Sequence, residues 1–240
     1  MEKNILFFTG WGATCSVWEG IIPALDQGYQ INCITPSWAG NNSYGSLSDI
    51  DAYVENVAKT IQSRVNIISW SMGGLIAIKL ASRYPDLVSS ICFVSSVPNF
   101  VSDDNTKSGI NKKWFTQFEL NFVNEPIATM KRFYVLQTMN DEFAKETIKR
   151  VRRYCDPKQY DFNECRYGLE LLKFNLSDEF ANLECKTAFI HGDVDAVVNI
   201  QVARDAAKST QSEFYVIKHA GHVPHVSHAA QVCEIINSNL

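Results

Sequence analysis

A chain of 240 residues is long enough for one α/β or barrel domain with a sizeable core. Aliphatic and aromatic residues make up 46% against 20% charged, which excludes a disordered chain. The net charge of −4 excludes the basic surplus of a general nucleic-acid binder, and no uninterrupted apolar run approaches the ~18 residues of a membrane span, so neither partner is expected.

The charge is unevenly distributed. Residues Lys107 to Arg153 hold ten Lys/Arg and five Asp/Glu, a local +5, leaving twelve against twenty-one, or −9, for the rest of the chain. An acidic body therefore carries a basic insert.

The first predicted strand, Ile5 to Thr9, runs into a glycine-rich loop, Phe8-Thr-Gly-Trp-Gly12. Its apolar run is too short for a signal h-region and lacks a small-residue cleavage site, so a cytoplasmic location is expected. A second strand follows at Ile31 to Thr35. Residues Asp49 to Arg64 place Ile50, Tyr53, Val54, Val57 and Ile61 on one helical stripe, with Ser48 as the predicted N-cap. The strand Val65 to Trp70 leads almost directly into a helix, Leu75 to Tyr84, which stops before Pro85. A strand follows at Ser90 to Ser95.

Strand alternating with helix predicts a parallel sheet with right-handed crossovers. From Val101 to Ala181 that alternation gives way to four helical patterns: Lys113 to Val123, Pro126 to Met139, Glu142 to Tyr154 and Glu164 to Phe174. Strands return at Thr187 to His191 and Glu213 to Lys218, before a final helix, Ser227 to Asn237. The expected organisation is one α/β core formed by residues 1–100 and 182–240, with a helical cap, 101–181, inserted in it.

The short passage from strand to helix around Ser69-Trp-Ser-Met-Gly-Gly74 is the place for a nucleophile. A sharp turn there lifts Ser71 clear of the sheet, toward backbone N–H groups of the first helical turn that lack partners. Gly73 and Gly74 supply the small neighbours, while Ser69 stands where the first glycine of G-x-S-x-G is usual. The alternative is a structural turn carrying an incidental serine. Preorganised donors for a developing oxyanion would be the N–H groups of Met72 and, from the early glycine-rich loop, Trp11.

The strand Thr187 to His191 ends in Gly-Asp-Val-Asp195, at the carboxyl edge where sites of such sheets lie. Asp195 is the expected acid, with Asp193 bracing the turn. After the last strand, the stretch HAGHVPHVSH carries His219, His222, His225 and His228 at a spacing of three. Gly221 and Pro224 oppose a helix there, and the stretch holds no acid or cysteine, so it does not read as a metal site. His222 at the loop apex is expected to be the general base, with His219 as its competitor and His225 and His228 supporting the final helix. The seven cysteines are odd in number and form no C-x-x-C pair, so they are expected as reduced, mostly buried thiols.

The order Ser71, Asp195, His222, with a cap between strands, resembles the α/β-hydrolase superfamily. Gly10-Trp-Gly, Trp70-Ser-Met-Gly-Gly, Arg132-Phe-Tyr-Val-Leu-Gln-Thr-Met139, Gly168-Leu-Glu-Leu-Leu-Lys173 and His222-Val-Pro-His-Val-Ser-His228 sharpen it. Together these segments look like the BioH-like pimeloyl-[acyl-carrier protein] methyl ester esterases of biotin synthesis.

The resemblance implies a sheet of about six strands, without the first hairpin many relatives have. It implies hydrolysis of the methyl ester while the acyl chain remains on its carrier protein, with no metal or organic cofactor, by a monomer. Trp11, Trp70, Met72, Leu136 and Met139 would line an apolar channel for a methylene chain. Arg132 would meet the acidic carrier, joined by the nearby basic run Lys145, Lys149, Arg150, Arg152 and Arg153, of which Lys145, Lys149 and Arg152 share a helix face. Two other functions fit the same motifs: a broader small-acyl esterase or thioesterase, and a non-catalytic binding protein using the basic cap.

Overall fold

The computed structural model describes residues 3–25, 28–36, 44–102, 109–155 and 160–239. Lys107, counted in the basic insert, lies outside them. The central sheet is built from β1 (Lys3–Phe8), β2 (Tyr29–Ile34), β3 (Val65–Trp70), β4 (Val88–Val94), β7 (Lys186–Gly192) and β8 (Glu213–Ile217). Its order is β2-β1-β3-β4-β7-β8, and every pairing is parallel. Parallel strands with crossovers must be covered on both faces. Accordingly, Ile5 to Phe8 and Ile67 to Trp70 are buried without alternation.

Helices α1 (Ile50–Thr60), α2 (Gly73–Arg83), α8 (Ile200–Ser209) and α10 (Ala229–Asn239) accompany the sheet. Helix α1 buries the predicted stripe Ile50, Tyr53, Val54 and Val57. Its N-cap is Asp49 rather than Ser48, because the Asp49 carboxylate accepts from the Ala52 N–H while Ser48 donates its own N–H to Ser46 Oγ.

Between β4 and β7 the chain forms a short parallel pair, β5 (Val101–Ser102) and β6 (Ile110–Asn111), then α3 (Lys112–Asn124), α4 (Pro126–Gln137), α5 (Ala144–Tyr154), α6 (Phe162–Leu171) and α7 (Ser177–Ala181). The four long helices coincide with the four predicted patterns to within a few residues, since each carries its own apolar stripe. The short helix α9 (Pro224–Ser227) precedes α10. No helix among the described residues is long and apolar enough to cross a membrane.

One expectation about the cysteines is corrected. Cys92, Cys155, Cys165 and Cys233 are buried outside any disulfide, but Cys15 and Cys33 are joined in one with their Cα atoms 5.9 Å apart. Cys33 lies near the end of β2 and Cys15 just beyond the loop that follows β1. Because β1 and β2 are adjacent and parallel, both positions emerge on one edge, a proximity that cysteine spacing does not reveal.

An aromatic cluster fastens α7 to the sheet. Phe180 meets Phe93 and Phe189 edge-on, with centroids 5.8 and 5.7 Å away, and is 1% exposed. We predict that Phe180→Ala costs about 3–5 kcal/mol by removing this packing. A urea midpoint unchanged from the parent would contradict that placement.

Candidate active site

Strand β3 ends at Trp70 and α2 begins at Gly73, so Ser71 and Met72 alone make the turn. Ser71 has φ +52°, the left-handed region that a residue with a side chain seldom adopts. Three hydrogen bonds impose it. The Ser71 N–H donates to Val94 O at 3.0 Å, while its carbonyl accepts from the Gly74 N–H at 2.9 Å and the Ser96 hydroxyl at 2.7 Å.

The two glycines admit this geometry by close approach. A Cβ on Gly73 would stand 2.8 Å from Thr9 O, and one on Gly74 would stand 2.0 Å from Ser96 Oγ. Ser69 is fully buried, and its hydroxyl donates to Cys92 O at 3.4 Å, so the turn accommodates this departure from glycine.

The carboxyl ends of β7 and β8 bring the other two groups to Ser71. His222 Nε2 lies 3.0 Å from Ser71 Oγ, and His222 Nδ1 lies 2.8 Å from Asp195 Oδ2. The three residues that the sequence order singled out are thus in one hydrogen-bonded line. Asp193 stands aside, where Oδ1 accepts from the His219 N–H at 2.6 Å and Oδ2 lies 3.4 Å from Lys218 Nζ.

The Asp195 side chain is wholly buried, yet it is surrounded by donors. Oδ1 accepts from the N–H groups of Val197 and Val198 at 2.8 and 3.0 Å, and Oδ2 faces both His222 and, at 3.2 Å, His191 Nε2. Burial alone would raise its pKa. The neighbouring His222 charge and the hydrogen bonds from His191 and His222 outweigh that and hold the carboxyl well below its usual range.

The sequence places His191 at a strand end, at the head of His-Gly-x-x-Asp, and assigns it no role of its own. Its Nε2 also lies 3.0 Å from Val198 O, which can only accept, so the ring proton resides on Nε2. The bracing residue is separated from Asp195 by four positions. A histidine before Gly-x-x-Asp was the available signal.

The His222 loop is held from outside the sheet. The His222 N–H donates to Gln137 O at 2.9 Å, the Gly221 N–H to Asp141 Oδ2 at 2.9 Å, and the Glu142 N–H to His219 O at 2.9 Å. From beneath, Trp70 Nε1–H donates to His222 O at 3.0 Å. Asp141 is buried, and nothing in the local sequence marked it.

The remaining histidines diverge. His228 Nε2 lies 3.0 Å from Glu142 Oε1, and His225 is fully buried between Trp18 and Trp70, with centroids 4.4 and 4.8 Å away. No group of three or more His, Cys, Asp or Glu side chains among the described residues is arranged to hold a metal ion.

On the other side of Ser71 lies the glycine-rich loop. A Cβ on Gly10 would stand 3.1 Å from Ser71 Cβ, which places the Trp11 backbone beside Ser71. Neither the Trp11 nor the Met72 N–H is taken up by a hydrogen bond among the described residues. Thr9 Oγ1–H closes the loop onto Ala13 O at 3.2 Å, and the Trp11 indole N–H donates to Cys165 O on α6 at 2.7 Å.

Ser71 opens on a small chamber lined by Trp11, Phe100, Phe115, Leu169 and Val197 among others, without a charged side chain. The expected single tube is divided. Trp70 lies behind His222, Met72 is buried at the start of α2, and Leu136 and Met139 line a separate outer groove together with Arg132.

The basic residues are not equivalent. Arg132 pairs with Glu125 at 3.3 Å, Arg153 with Glu19, and Arg150 donates to Val226 O at 3.2 Å. Lys145, Lys149 and Arg152 are exposed along α5, with no ion pair among the described residues.

His225 gives this site a pH signature. Burial, and then the charge of His222, lower its pKa well below 6.5, so the folded chain keeps it neutral while the unfolded chain protonates it. Its contribution to stability is present above pH 6.5 and is lost as pH falls below that value. We predict that His225→Phe reduces the stability difference between pH 7.5 and pH 5.5 by on the order of 1 kcal/mol. Denaturant midpoints at the two pH values measure this, and an undiminished difference would refute it.

A family model described as the alpha/beta hydrolase fold matches residues 3–229. The pimeloyl-[acyl-carrier protein] methyl ester esterase of Aeromonas hydrophila subsp. hydrophila is 29% identical over 241 residues, covering 97% of this chain and 93% of that protein. The biotin biosynthesis bifunctional protein BioHC of Teredinibacter turnerae is 28% identical over 252 residues, covering 98% of this chain; the chain spans only 44% of that longer protein. Among solved structures, an esterase from Exiguobacterium antarcticum superposes with a TM-score of 0.87 at 17% identity, covering 99% of this chain and 91% of the other, a likeness of fold. With the match running through nearly the whole sheet and the segment inserted in it, the chain belongs to the α/β hydrolase family.

Proposed function

We propose that the protein is a serine carboxylesterase that hydrolyses the methyl ester of a pimeloyl chain carried by an acyl carrier protein. The observation that carries this reading is the hydrogen-bonded line Ser71–His222–Asp195 opening on an uncharged chamber. The substrate is supported by relatives that bear this activity in their names and match the chain almost end to end.

In this mechanism His222 Nε2 takes the hydroxyl proton as Ser71 Oγ attacks the ester carbonyl, and Asp195 holds the tautomer and stabilises the resulting imidazolium. The N–H groups of Trp11 and Met72 receive the oxyanion. Methanol departs with the proton returned by His222. Water, activated by the same histidine, then releases the acid from the acyl-enzyme. A neutral ester enters the apolar chamber without penalty, whereas the ionised product finds no cation there, which favours its departure.

Residues 101–181 act as a cap in this reading. Lys145, Lys149 and Arg152, which have no ion-pair partner among the described residues, form the face that steers an acidic carrier, with Arg132 at the groove. Arg150 and Arg153, already engaged, contribute less. All the catalytic groups come from one chain, so a monomer suffices. The small chamber favours a second reading, an esterase of short free acyl groups.

Ser71→Ala should lower turnover of the carrier-bound methyl ester by about 10⁴-fold or more, followed by mass spectrometry of the carrier. Reversing the charges of Lys145, Lys149 and Arg152 together should raise KM for the carrier-bound ester about tenfold relative to free dimethyl pimelate, and added salt should diminish the difference. Cleavage of short free esters with the carrier-bound ester untouched would decide for the second reading.

A further inference from the structure

The nucleophile is shut in. Ser71 is 6% exposed and His222 wholly buried, and the chamber above them measures about 30 Å³. Because about 10–15 Å³ accommodates one water, such a chamber admits a water or two and no long acyl chain. The outer groove measures about 280 Å³. That is close to the lower end, ~300 Å³, of small-molecule sites.

Chamber and groove share three lining side chains, Trp114, Phe118 and Phe133, which therefore form the wall between them. These rings are held unequally. Phe118 and Phe133 both meet the Trp11 indole, at 5.6 and 5.4 Å, and each other at 5.6 Å, while Trp11 itself is fixed through its N–H to Cys165 O. Trp114 is stacked on Phe118 at 5.6 Å and 15°, its single ring contact among the described residues, and it is 46% exposed. It is the one member of the wall that can swing into solvent without breaking the packing around Trp11.

We propose that Trp114 is a specificity-determining gate. Swinging off Phe118, it joins the groove to the chamber, so that the ester end of a linear acyl chain reaches Ser71 while the rest of the chain lies in the groove past Leu136 and Met139. This inference rests on the esterase reading above and adds the residue that sets which chain lengths are accepted. The occupant is an extended apolar acyl chain, because only this shared, entirely aromatic wall separates the groove from the chamber of Ser71. A short acyl group has little need of the groove. A long one reacts only from the open state, and its apparent affinity is reduced by the fraction of time the gate is open.

The test compares kcat/KM for methyl octanoate and methyl acetate in the intact protein. Trp114→Ala should raise the octanoate-to-acetate ratio by about fivefold or more, because the closed state no longer taxes the long chain. Trp114→Phe, which can still stack on Phe118, should keep the parent ratio. Leu136→Trp, which fills the groove, should lower it. An octanoate-to-acetate ratio that stays the same or falls in Trp114→Ala overturns the gate, whatever happens to acetate turnover. Failure of the esterase reading is recognised separately, as undiminished turnover in Ser71→Ala or no cleavage of either ester by the parent protein, and in that case the gate falls with it.

Discussion

The close approach of α2 to β1 and to Ser96 at Gly73 and Gly74 is the constraint on which the site depends. It lets the helix begin two residues after the strand, which forces Ser71 into a left-handed conformation and turns its side chain off the sheet. The strain is local, and the hydrogen bonds from Ser71 N–H to Val94 and from Gly74 and Ser96 to Ser71 O offset it. Since every sheet pairing is parallel, the loops after β1, β3, β7 and β8 emerge on the same edge. Ser71, raised there, meets Asp195, His222 and the Trp11 loop without further rearrangement.

A buried carboxylate is costly unless its lone pairs are met. Asp195 is met by two backbone N–H groups, His222 and His191, so it remains ionised in a dry setting and can orient His222. The histidine's loop is fixed in turn by Gln137, Asp141 and Glu142, residues that follow the core of α4. The hydrogen-bonded line Ser71–His222–Asp195 and the inserted helices are thereby linked: a displacement of residues 137–142 would be felt at His222.

The same inserted helices create contrast around the site. Their inner side lines the chamber over Ser71 with aromatic rings, and α5 presents cations outward. Not all of that charge is available. Arg132, Arg150 and Arg153 already have partners within the chain, which leaves Lys145, Lys149 and Arg152 as the part of the face without an ion pair among the described residues.

Strands, helices and the order Ser71, Asp195, His222 were legible because each is written in a local pattern: an apolar run, a helical stripe, a glycine pair after a strand, an acid and a histidine after late strands. Ser69, although unusual at its position, is accommodated because its hydroxyl finds a backbone acceptor in Cys92 O. The tertiary structure alone decided the Cys15–Cys33 pairing, the bracing of Asp195 by His191, the hold of Asp141 on Gly221, and the separation of Leu136 and Met139 from the chamber of Ser71. Each of these depends on which elements become neighbours and how their side chains pack. Asp141 and Gly221 are 80 residues apart and meet only because α4 ends over the last loop of the sheet. Periodicity and motif spacing describe a residue's own element, whereas such contacts arise from the meeting of two.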